Sequence, residues 1–327
     1  MNVLYTCDNN YIWIMGISVI SLFENNKHID ELTVCLLGEN ISDESKRTLH
    51  NIAYKYDRKI EVIDVPELDI PETLVSARWP LSAFTRLFSG MLLPENIDRI
   101  LYLDCDTIIA GNIEQLNNVN FDNDIVLGVK DCIGGSYKKN IGLKENDVYI
   151  NAGVLMLNLK ALRKINIKSS IDSYMKRYIK LINYADQDIL NGIFKGRIGV
   201  IDPEYDVMTI DVVHSYDEIF KLRKPTNFYD RTEMAAAIRN PVIIHYTTNM
   251  RVIRPWYNDS DHPLRDQFRK YMAMSPWKDR ILGEIKFSTI EAKIIGIIDI
   301  LPKKLSYALL GFIHSEVKPL YIRIRAK

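Results

Sequence analysis

Over the first 65 positions, the apolar residues alternate between short continuous runs and helical spacing. The continuous runs predict strands at Val3–Cys7, Leu32–Leu37 and Ile60–Val65. Between them, apolar residues recur every three or four positions over 12–23, and Ser42 with acidic residues behind it opens a second helix. This βαβαβ order predicts a mostly parallel, Rossmann-like sheet with helices on both faces. Ligands of such sheets bind beyond the carboxyl ends of the strands.

The α/β alternation continues to about residue 258. It predicts strands at Ile100–Leu103, Ile125–Val129, Val154–Leu157 and Val242–Tyr246, and helices at Ser82–Leu93, Ile171–Ile182 and Asp188–Phe194. Beyond Trp256 the pattern becomes polar and aromatic, and then mixes long apolar stretches such as 294–300 with lysine. We therefore predict one domain over residues 1–258 and a helical, basic, amphipathic extension over 259–327.

The overall charge excludes little, but its distribution is uneven. The 42 basic and 42 acidic residues cancel, so no nucleic-acid partner is predicted. Residues 281–327 hold eight basic against four acidic residues, a net charge of +4. Basic amphipathic segments of this kind can lie on an anionic membrane surface. The alternative is a helical pair that packs on the domain and turns a basic face to solvent.

The sequence predicts neither secretion nor a membrane-spanning helix. The N-terminal run lacks the basic region and cleavage site of a signal peptide, and no stretch approaches the roughly 20 apolar residues of a spanning helix. Four cysteines without CxxC spacing are expected to be buried free thiols, as suits a reducing compartment: Cys7, Cys35, Cys105 and Cys132. We expect a cytoplasmic protein, with any membrane contact peripheral and on the inner face.

The main candidate for chemistry is Asp104-Cys105-Asp106. On an extended segment, residues two apart point the same way, so both carboxylates can reach one divalent cation. Similar triplets occur at 122–124, 186–188 and 259–261, and a lone triplet is more often a solvated turn. The triplet at 104–106 differs because it directly follows an apolar strand, where two acids cost stability unless they are paired or ligated.

His245 closes another apolar run, 241–244. A lone histidine there is more often a core or capping residue. Joined to the two aspartates, it would complete an O,O,N ligand set, which favours manganese or a similar transition ion over calcium. The chain has no GxGxxG or GxxxxGK motif, so the phosphates of a nucleotide would be held by the metal and by side chains.

Three further polar segments each allow two interpretations. Asp8 and Asn10 follow the first strand and could either read a uracil edge or cap the next helix. Asn151-Ala152-Gly153 could let the backbone approach a ligand closely or form a turn at the start of a strand. Asp186 could contact a ligand or be the N-cap of the next helix, with Asp188 favouring the helix dipole.

At these residues the chain resembles glycosyltransferase family 8, the retaining bacterial galactosyl- and glucosyltransferases of the lipopolysaccharide type, related to glycogenin. The matching segments, in the family's order, are Thr6–Asn10, Ser82–Arg86, Leu101–Asp106, Asn151–Asn158, Asp186–Asn191, and His245–Thr247 with Pro255–Trp256. The resemblance covers roughly residues 1–258. It implies a GT-A fold and transfer of glucose or galactose from UDP-glucose or UDP-galactose to a saccharide or glycolipid acceptor, such as lipopolysaccharide.

The resemblance also implies a role for each matched polar residue. The metal ligands would be Asp104, Asp106 and His245, binding Mn²⁺ or Mg²⁺. The uridine contacts would be Thr6, Asp8 and Asn10. The remaining donor contacts would be Arg86, Asp131, Asn151, Ala152, Asp186, Gln187 and Arg254.

Gln187 would lie near the anomeric carbon, on the face opposite the leaving group. A carboxamide is a weak nucleophile beside a carboxylate, so we predict front-side displacement in which Gln187 orients charge. Asp188 is the next candidate nucleophile, for a double displacement.

One segment departs from the family's ending, His-x-x-Gly-x-x-Lys-Pro-Trp. Thr248 replaces the glycine, and the stretch from His245 to Pro255 is three residues longer. Arg251 or Arg254 would replace the lysine, because an arginine can grip a phosphate bidentately.

Two other functions compete with the transferase. One is a non-catalytic protein that binds a UDP-sugar or acts as a scaffold at a membrane surface. The other is a sugar-nucleotide pyrophosphorylase, which would need a glycine-rich, basic loop after the first strand. The chain has Asp8-Asn9-Asn10-Tyr11 at that position.

Overall fold

Two β-sheets form the centre of the computed structural model, which describes residues 1–66, 84–249, 252–285 and 301–326. The strands, in chain order, are β1 Asn2–Asp8, β2 Thr33–Glu39, β3 Lys59–Asp64, β4 Arg99–Leu103, β5 Thr107–Ile109, β6 Val126–Lys130, β7 Ile150–Asn158, β8 Ile198–Val200, β9 Val207–Met208 and β10 Ile243–His245. Seven of them form one sheet in the order β3-β2-β1-β4-β7-β6-β8, and the other three form a small sheet in the order β5-β10-β9.

The large sheet confirms the predicted mixed α/β fold. Its pairs β1–β2, β2–β3, β1–β4 and β6–β8 are parallel, whereas β7 is antiparallel to both β4 and β6. Alternate residues of each strand enter two separate apolar cores, so Val3 and Tyr5 pack on one face and Leu4 on the other. Helices therefore cover both faces, and β4, which leads to Asp104, is the central strand.

The α-helices of the described ranges are α1 Ile12–Asn25, α2 Asp43–Lys55, α3 Ser89–Leu92, α4 Gly135–Asn140, α5 Leu159–Leu162, α6 Ile167–Tyr178, α7 Ala185–Ile193, α8 Thr209–Val213, α9 Tyr216–Arg223, α10 Arg231–Arg239, α11 Arg265–Ala273, α12 Lys303–Phe312 and α13 Lys318–Ala326. The 3₁₀ turns lie at Asn9–Tyr11, Arg86–Phe88, Glu114–Asn118 and Pro203–Tyr205.

Three predicted helices have different bounds, and the one predicted at Asp188–Phe194 spans Ala185–Ile193. The continuous helix predicted at Ser82–Leu93 is wrong where it is described, because the 3₁₀ turn Arg86–Phe88 interrupts it before α3. Residues 82 and 83 lie outside the described ranges. The helix predicted at Ile171–Ile182 begins four residues earlier, since the side chain of Asn166 accepts from the backbone N–H of Ser169 and caps it there.

The segment after residue 258 continues the main core. Helix α11 places Phe268 and Tyr271 in the same apolar cluster as β1 and α1. The ring of Trp277 lies against Gly16 of α1 and leaves no room for a side chain there. A domain boundary at 258 therefore stays a prediction, and the packing joins at least residues 265–277 to the sheet.

The predicted helical extension is present as one long helix. Helix α12, a π-helical turn at Ile313–Val317 and α13 follow one another without interruption, and we call residues 303–326 the C-terminal helix. It packs on α9, where Gly311 lies directly against the carbonyl oxygen of Lys221. Its solvent-facing side is largely apolar, whereas the alternative of a packed helical pair predicted a basic face toward solvent. The apolar stretch 294–300 lies outside the described residues.

All four cysteines are free and buried, as predicted. Within the described ranges, no helix combines the length and the apolar character that crossing a bilayer requires.

Candidate active site

Strand pairing brings Asp104, Asp106 and His245 to one place. The two aspartates lie in the turn between β4 and β5. Strand β10 runs antiparallel to β5, with His245 opposite Thr107. The N–H of Tyr246 donates to the carbonyl of Asp106 at 2.9 Å. The backbone register therefore sets the imidazole beside both carboxylates.

The three side chains converge closely enough to hold one ion. Nε2 of His245 lies 3.3 Å from Oδ1 of Asp106 and 3.7 Å from Oδ2 of Asp104. One potential ligand atom from each residue lies within 4.8 Å of the others. Two carboxylate oxygens and one imidazole nitrogen suit a divalent transition ion. The donor set therefore fits the metal that the resemblance implies.

Asp206 supports this arrangement from behind, and sequence reasoning missed it. Its buried carboxylate lies 2.9 Å from Nδ1 of His245, which leaves Nε2 to face Asp104 and Asp106. Metal-binding histidines almost always have such a partner on the other ring nitrogen. Asp206 precedes β9, which pairs with β10, so only the tertiary pairing brings it to the imidazole.

The charges of this cluster stabilise one another. Burial alone would lower the pKa of His245, but Asp206 and Asp106 raise that pKa well above its ordinary value. Burial would raise the pKa of Asp106, but His245 and Arg254 lower it below the usual range. The imidazole and the carboxylates therefore favour one another's charged forms.

Gly153 supplies the space that the cluster occupies. It lies in β7, and its carbonyl accepts from the N–H of Asp104 at 2.7 Å. A Cβ atom at this position would lie 2.7 Å from Nδ1 of His245 and 3.0 Å from Oδ2 of Asp104. The glycine therefore permits close approach of the candidate metal-binding side chains. Asn151–Gly153 lie within β7, so the alternative of a turn at the start of a strand is wrong.

Arg86 is a buried cation between two of the predicted acids. Its guanidinium lies 2.9 Å from Oδ1 of Asp104 and 3.2 Å from Oδ2 of Asp186, and it stacks over the ring of Tyr102. Burial would lower the pKa of Arg86, but the two carboxylates raise it, so Arg86 stays charged. The hydroxyl of Tyr102 donates to Asp104 and lies 3.2 Å from Oγ1 of Thr6, which links Thr6 indirectly to the site.

Asp186 points into the site and does not cap a helix. The N-cap of α7 is Tyr184, and Asp186 is the second helical residue, so the capping alternative is wrong. Ala185 takes the left-handed backbone conformation, with φ of 46°. Burial raises the pKa of Asp186 to about 6, although the charge of Arg86 opposes the shift.

Gln187 is held by three polar groups. Its Nε2 donates to Asp131 at 2.8 Å and lies 3.2 Å from the hydroxyl of Tyr149. Its Oε1 accepts from the N–H of Ala152 at 3.2 Å. Asn151 lies 3.5 Å from the same carboxylate of Asp131. Asp131 therefore orients two predicted donor contacts.

Asp188, the second candidate nucleophile, is buried and hydrogen-bonded through both carboxylate oxygens. Its side chain is 3% exposed. Oδ1 accepts from the hydroxyl of Tyr149 at 2.7 Å, and Oδ2 accepts from the backbone N–H groups of Asn183 and Tyr184. A buried carboxylate that accepts three hydrogen bonds secures the turn before α7, and this geometry favours a structural role for Asp188 over attack on a sugar.

A cleft of about 310 Å³ joins most of these groups, and we call it the central cleft. Among the residues that line it are nine of the predicted site residues: Arg86, Asp104, Asp106, Asn151, Ala152, Asp186, Gln187, His245 and Arg254. The predicted residues that do not line it are Thr6, Asp8, Asn10, Asp131 and Asp188.

At the end of β1, the capping alternative is confirmed. Oδ1 of Asp8 accepts from the N–H groups of Asn10 and Tyr11 and caps the 3₁₀ turn. The amide of Asn10 donates to Oδ2 of the same aspartate at 3.3 Å. Both side chains remain partly or fully exposed, so the cap does not exclude a contact with a nucleobase.

Arg254 is the arginine that the structure places at the cleft. Its Nη1 lies 3.7 Å from Oδ2 of Asp106, and its guanidinium donates to the hydroxyl of Thr248 and lies over the ring of Trp256. Arg251, the other candidate to replace the family lysine, lies outside the described residues.

Comparison with known proteins finds similarity over most of the chain. The family "Glycosyl transferase family 8" matches residues 2–260. The chain is 27% identical over 302 residues to a lipopolysaccharide 1,2-glucosyltransferase of Escherichia coli K12, covering 90% of this chain and 83% of that protein. It is 23% identical over 280 residues to general stress protein A of Bacillus subtilis, covering 85% and 94%. The structure of galactosyltransferase LgtC in complex with donor and acceptor sugar analogs superposes with a TM-score of 0.68 at 22% identity, covering 84% and 96%.

Proposed function

The chain belongs to glycosyltransferase family 8, and on that premise we propose that it transfers glucose or galactose from a UDP-sugar to a saccharide acceptor with retention of configuration. The family and the GT-A fold make it a glycosyltransferase that acts on glycans. The sugar, the metal and the mechanism are parts of the proposal. Several relatives are named lipopolysaccharide glucosyltransferases or galactosyltransferases, which supports a hexose donor and a surface-glycan acceptor.

One observation carries the proposal: Asp104, Asp106 and His245 converge at the floor of the central cleft, with Asp206 behind the imidazole. A divalent cation bound there, manganese by the chemistry of the donor set, would neutralise the charge that develops on a leaving diphosphate. The two half-buried carboxylates beside one imidazole then have a common function, because such a group of acids at a strand end favours a bound cation.

The surrounding residues provide contacts for the rest of the donor. Arg254, beside Asp106, is placed to contact the diphosphate bidentately. Asp186 and Asn151 line the cleft and offer acceptors and donors to sugar hydroxyls. Arg86 holds Asp186 and Asp104 in place. Asp8 and Asn10 would contact uridine from the end of β1.

The geometry around Gln187 supports front-side displacement. With Asp188 buried and fully hydrogen-bonded, the group offered to the cleft at this turn is a carboxamide. A carboxamide oxygen can stabilise positive charge at the anomeric carbon but is a poor nucleophile. The acceptor hydroxyl would attack from the side of the leaving group, the bond from the anomeric carbon to the diphosphate would break, and the hydroxyl proton would pass to the departing phosphate oxygen.

The experiment that tests the function needs no known acceptor. The purified chain is incubated with a panel of UDP-sugars, with and without Mn²⁺, and the release of UDP is measured. We expect Mn²⁺-dependent release from UDP-glucose or UDP-galactose. Asp106→Asn should reduce release by about 100-fold or more, because an amide replaces a charged ligand. Asp122→Asn is the matched control, since Asp122 is an exposed member of another Asp-x-Asp triplet.

Each alternative outcome has its own meaning. Near-normal turnover by Asp106→Asn would refute the metal role. Binding of UDP-sugars without any metal-dependent turnover would favour the non-catalytic binding protein. Formation of UTP from a UDP-sugar and pyrophosphate would identify a pyrophosphorylase.

We further propose that the C-terminal helix contacts the anionic inner face of the cytoplasmic membrane. Its outer side exposes large apolar residues along the helix, including Leu305 (55% exposed), Phe312 (54%), Leu320 (54%) and Ile324 (61%). Lysines and arginines accompany them at 303, 304, 318 and 325. An apolar stripe with basic neighbours is the pattern of a helix that lies in the bilayer interface.

Vesicle binding tests this contact directly. The double variant Phe312→Ser, Ile324→Ser should bind anionic phosphatidylglycerol vesicles at least about ten-fold more weakly, because each buried apolar side chain contributes roughly 1.5–3 kcal/mol. Tyr54→Ser, which removes an 89%-exposed ring from α2, is the control. Unchanged binding of the double variant would contradict the membrane contact.

A further inference from the structure

A second cavity lies between α9 and the C-terminal helix, and we call it the Arg223 pocket. Its volume is about 210 Å³. Leu222 and Arg223 line it from α9, Thr248 from the segment after β10, and Tyr307, Leu310 and His314 from the C-terminal helix. Apolar and aromatic walls combined with a few polar groups are typical of a small-ligand site.

The Arg223 pocket adjoins the central cleft. Thr248 lines both cavities, and its hydroxyl accepts a hydrogen bond from Arg254. Tyr184 lines the central cleft, and its hydroxyl lies 3.5 Å from Nε2 of His314 in the Arg223 pocket. The two cavities therefore meet at Thr248, and a molecule in the pocket would lie beside the donor.

The pocket contains a cation with a neutral partner. The guanidinium of Arg223 donates to Nε2 of His314. Burial and the nearby charge of Arg223 lower the pKa of His314 to about 3, so the imidazole is neutral and accepts this bond. In the part of the chain that the structure describes, no carboxylate forms an ion pair with Arg223, and Asp131 acts on it only from a greater distance. A partly buried cation of this kind gains from an anionic ligand.

We propose that the Arg223 pocket is the acceptor subsite and that it selects a sugar carrying an anionic group, such as a phosphate. The inference rests on the proposed transferase function, which requires an acceptor beside the donor. Tyr307 and the two leucines would pack against the carbon face of a sugar ring, while Arg223 pairs with the anion. The C-terminal helix thereby becomes one wall of the substrate site.

Direct binding of small probes tests the pocket. Glucose 6-phosphate and galactose 6-phosphate are titrated calorimetrically and compared with glucose and galactose, with saturating UDP and Mn²⁺ present to fill the central cleft. At least one phosphorylated hexose should bind about ten-fold more tightly than the parent sugar, as a charge-assisted hydrogen bond allows. Arg223→Gln should abolish this preference, and Arg223→Lys should retain part of it.

The control variant is Lys221→Gln, which removes an exposed charge from the same helix, outside the pocket. It should keep the preference for the phosphorylated sugar. A wild-type protein that binds UDP with Mn²⁺ but shows no preference would overturn the subsite and leave the transferase function standing. A preference that survives in Arg223→Gln would overturn the role of Arg223. Failure to bind UDP with Mn²⁺ at all would instead overturn the proposed function, and the subsite with it.

Discussion

Replacing Gly153 by alanine tests the candidate metal site without touching any of its ligands. The added methyl carbon would clash most directly with Cε1 of His245, and it would also lie 2.7 Å from Nδ1 of His245 and 3.0 Å from Oδ2 of Asp104. Non-bonded heavy atoms prefer separations of about 3.5 Å or more, so the imidazole, whose Cε1 is the nearest atom, has to move by more than ~1 Å. The backbone of Gly153 cannot withdraw easily, because its carbonyl accepts from Asp104 and the next residue, Val154, is paired with β4.

This displacement is large for a metal site and moderate for the fold. Metal–ligand distances tolerate changes of only about 0.2 Å, so the binding of Mn²⁺ should weaken by roughly 10–100-fold. Overpacking of a well-packed interior costs about 1–3 kcal/mol, which lowers the free energy of unfolding without abolishing folding. The two effects are measured by calorimetric titration with Mn²⁺ in the presence of UDP and by urea unfolding followed by circular dichroism.

Gly283→Ala is the matched control. A Cβ atom at Gly283 meets no atom within 4 Å, and its backbone is not in the left-handed region. This variant should therefore leave both the affinity for Mn²⁺ and the free energy of unfolding unchanged. If Gly153→Ala binds Mn²⁺ as tightly as the wild type and releases UDP at the same rate, the three side chains do not form the metal site.

Three shorter predictions follow from other contacts. Asp206→Asn should weaken Mn²⁺ binding by about 10–100-fold in the same titration while the circular dichroism spectrum is unchanged, because the amide no longer holds His245 as a carboxylate does. Burial raises the pKa of Asp211 from 3.8 to about 8. Wild-type stability should therefore fall between pH 4 and 8 by up to ~1.4 kcal/mol per pH unit from this group, since the unfolded state loses the proton first. In urea unfolding, Asp211→Asn should gain stability over the wild type as pH rises, and an equal difference at pH 5 and pH 8 would contradict this. Gly311→Ala should detach the C-terminal helix from the carbonyl of Lys221, seen as faster proteolysis of that helix, whereas unchanged proteolysis would show that the packing adjusts.

The parts of the site that sequence reasoning reached share one property: they follow apolar runs. Asp104 and Asp106 come directly after β4, and His245 ends β10. Residues at strand ends must lie at the edge of a sheet, so local pattern alone limits where they can be. The resemblance to the family then assigned these three residues to one metal site, and in the structure their side chains lie within reach of one ion.

The parts it missed depend on contacts between distant segments. Asp206 lies 39 residues before His245, and nothing in its neighbours indicates that β9 will pair with β10. Asp188 was considered a nucleophile because a carboxylate is a better one than an amide. Its role is set by the backbone N–H groups of Asn183 and Tyr184 in the turn before α7, which leads into the left-handed Ala185. A turn of that kind has no signature in apolar spacing.

The C-terminal helix shows why amphipathic pattern alone could not choose between a packed helix and a membrane-facing one. The helix is apolar on two sides. One side carries Gly311, Tyr307 and Leu310 against α9 and the Arg223 pocket, and the other exposes residues such as Phe312. Apolar spacing identifies one apolar face and assigns it to one partner. It does not show that a helix has two apolar sides, of which one packs on the protein and the other is exposed. If both proposals hold, an acceptor attached to a lipid would reach the Arg223 pocket from the bilayer side, and the same helix would place the protein on the membrane and bind its substrate.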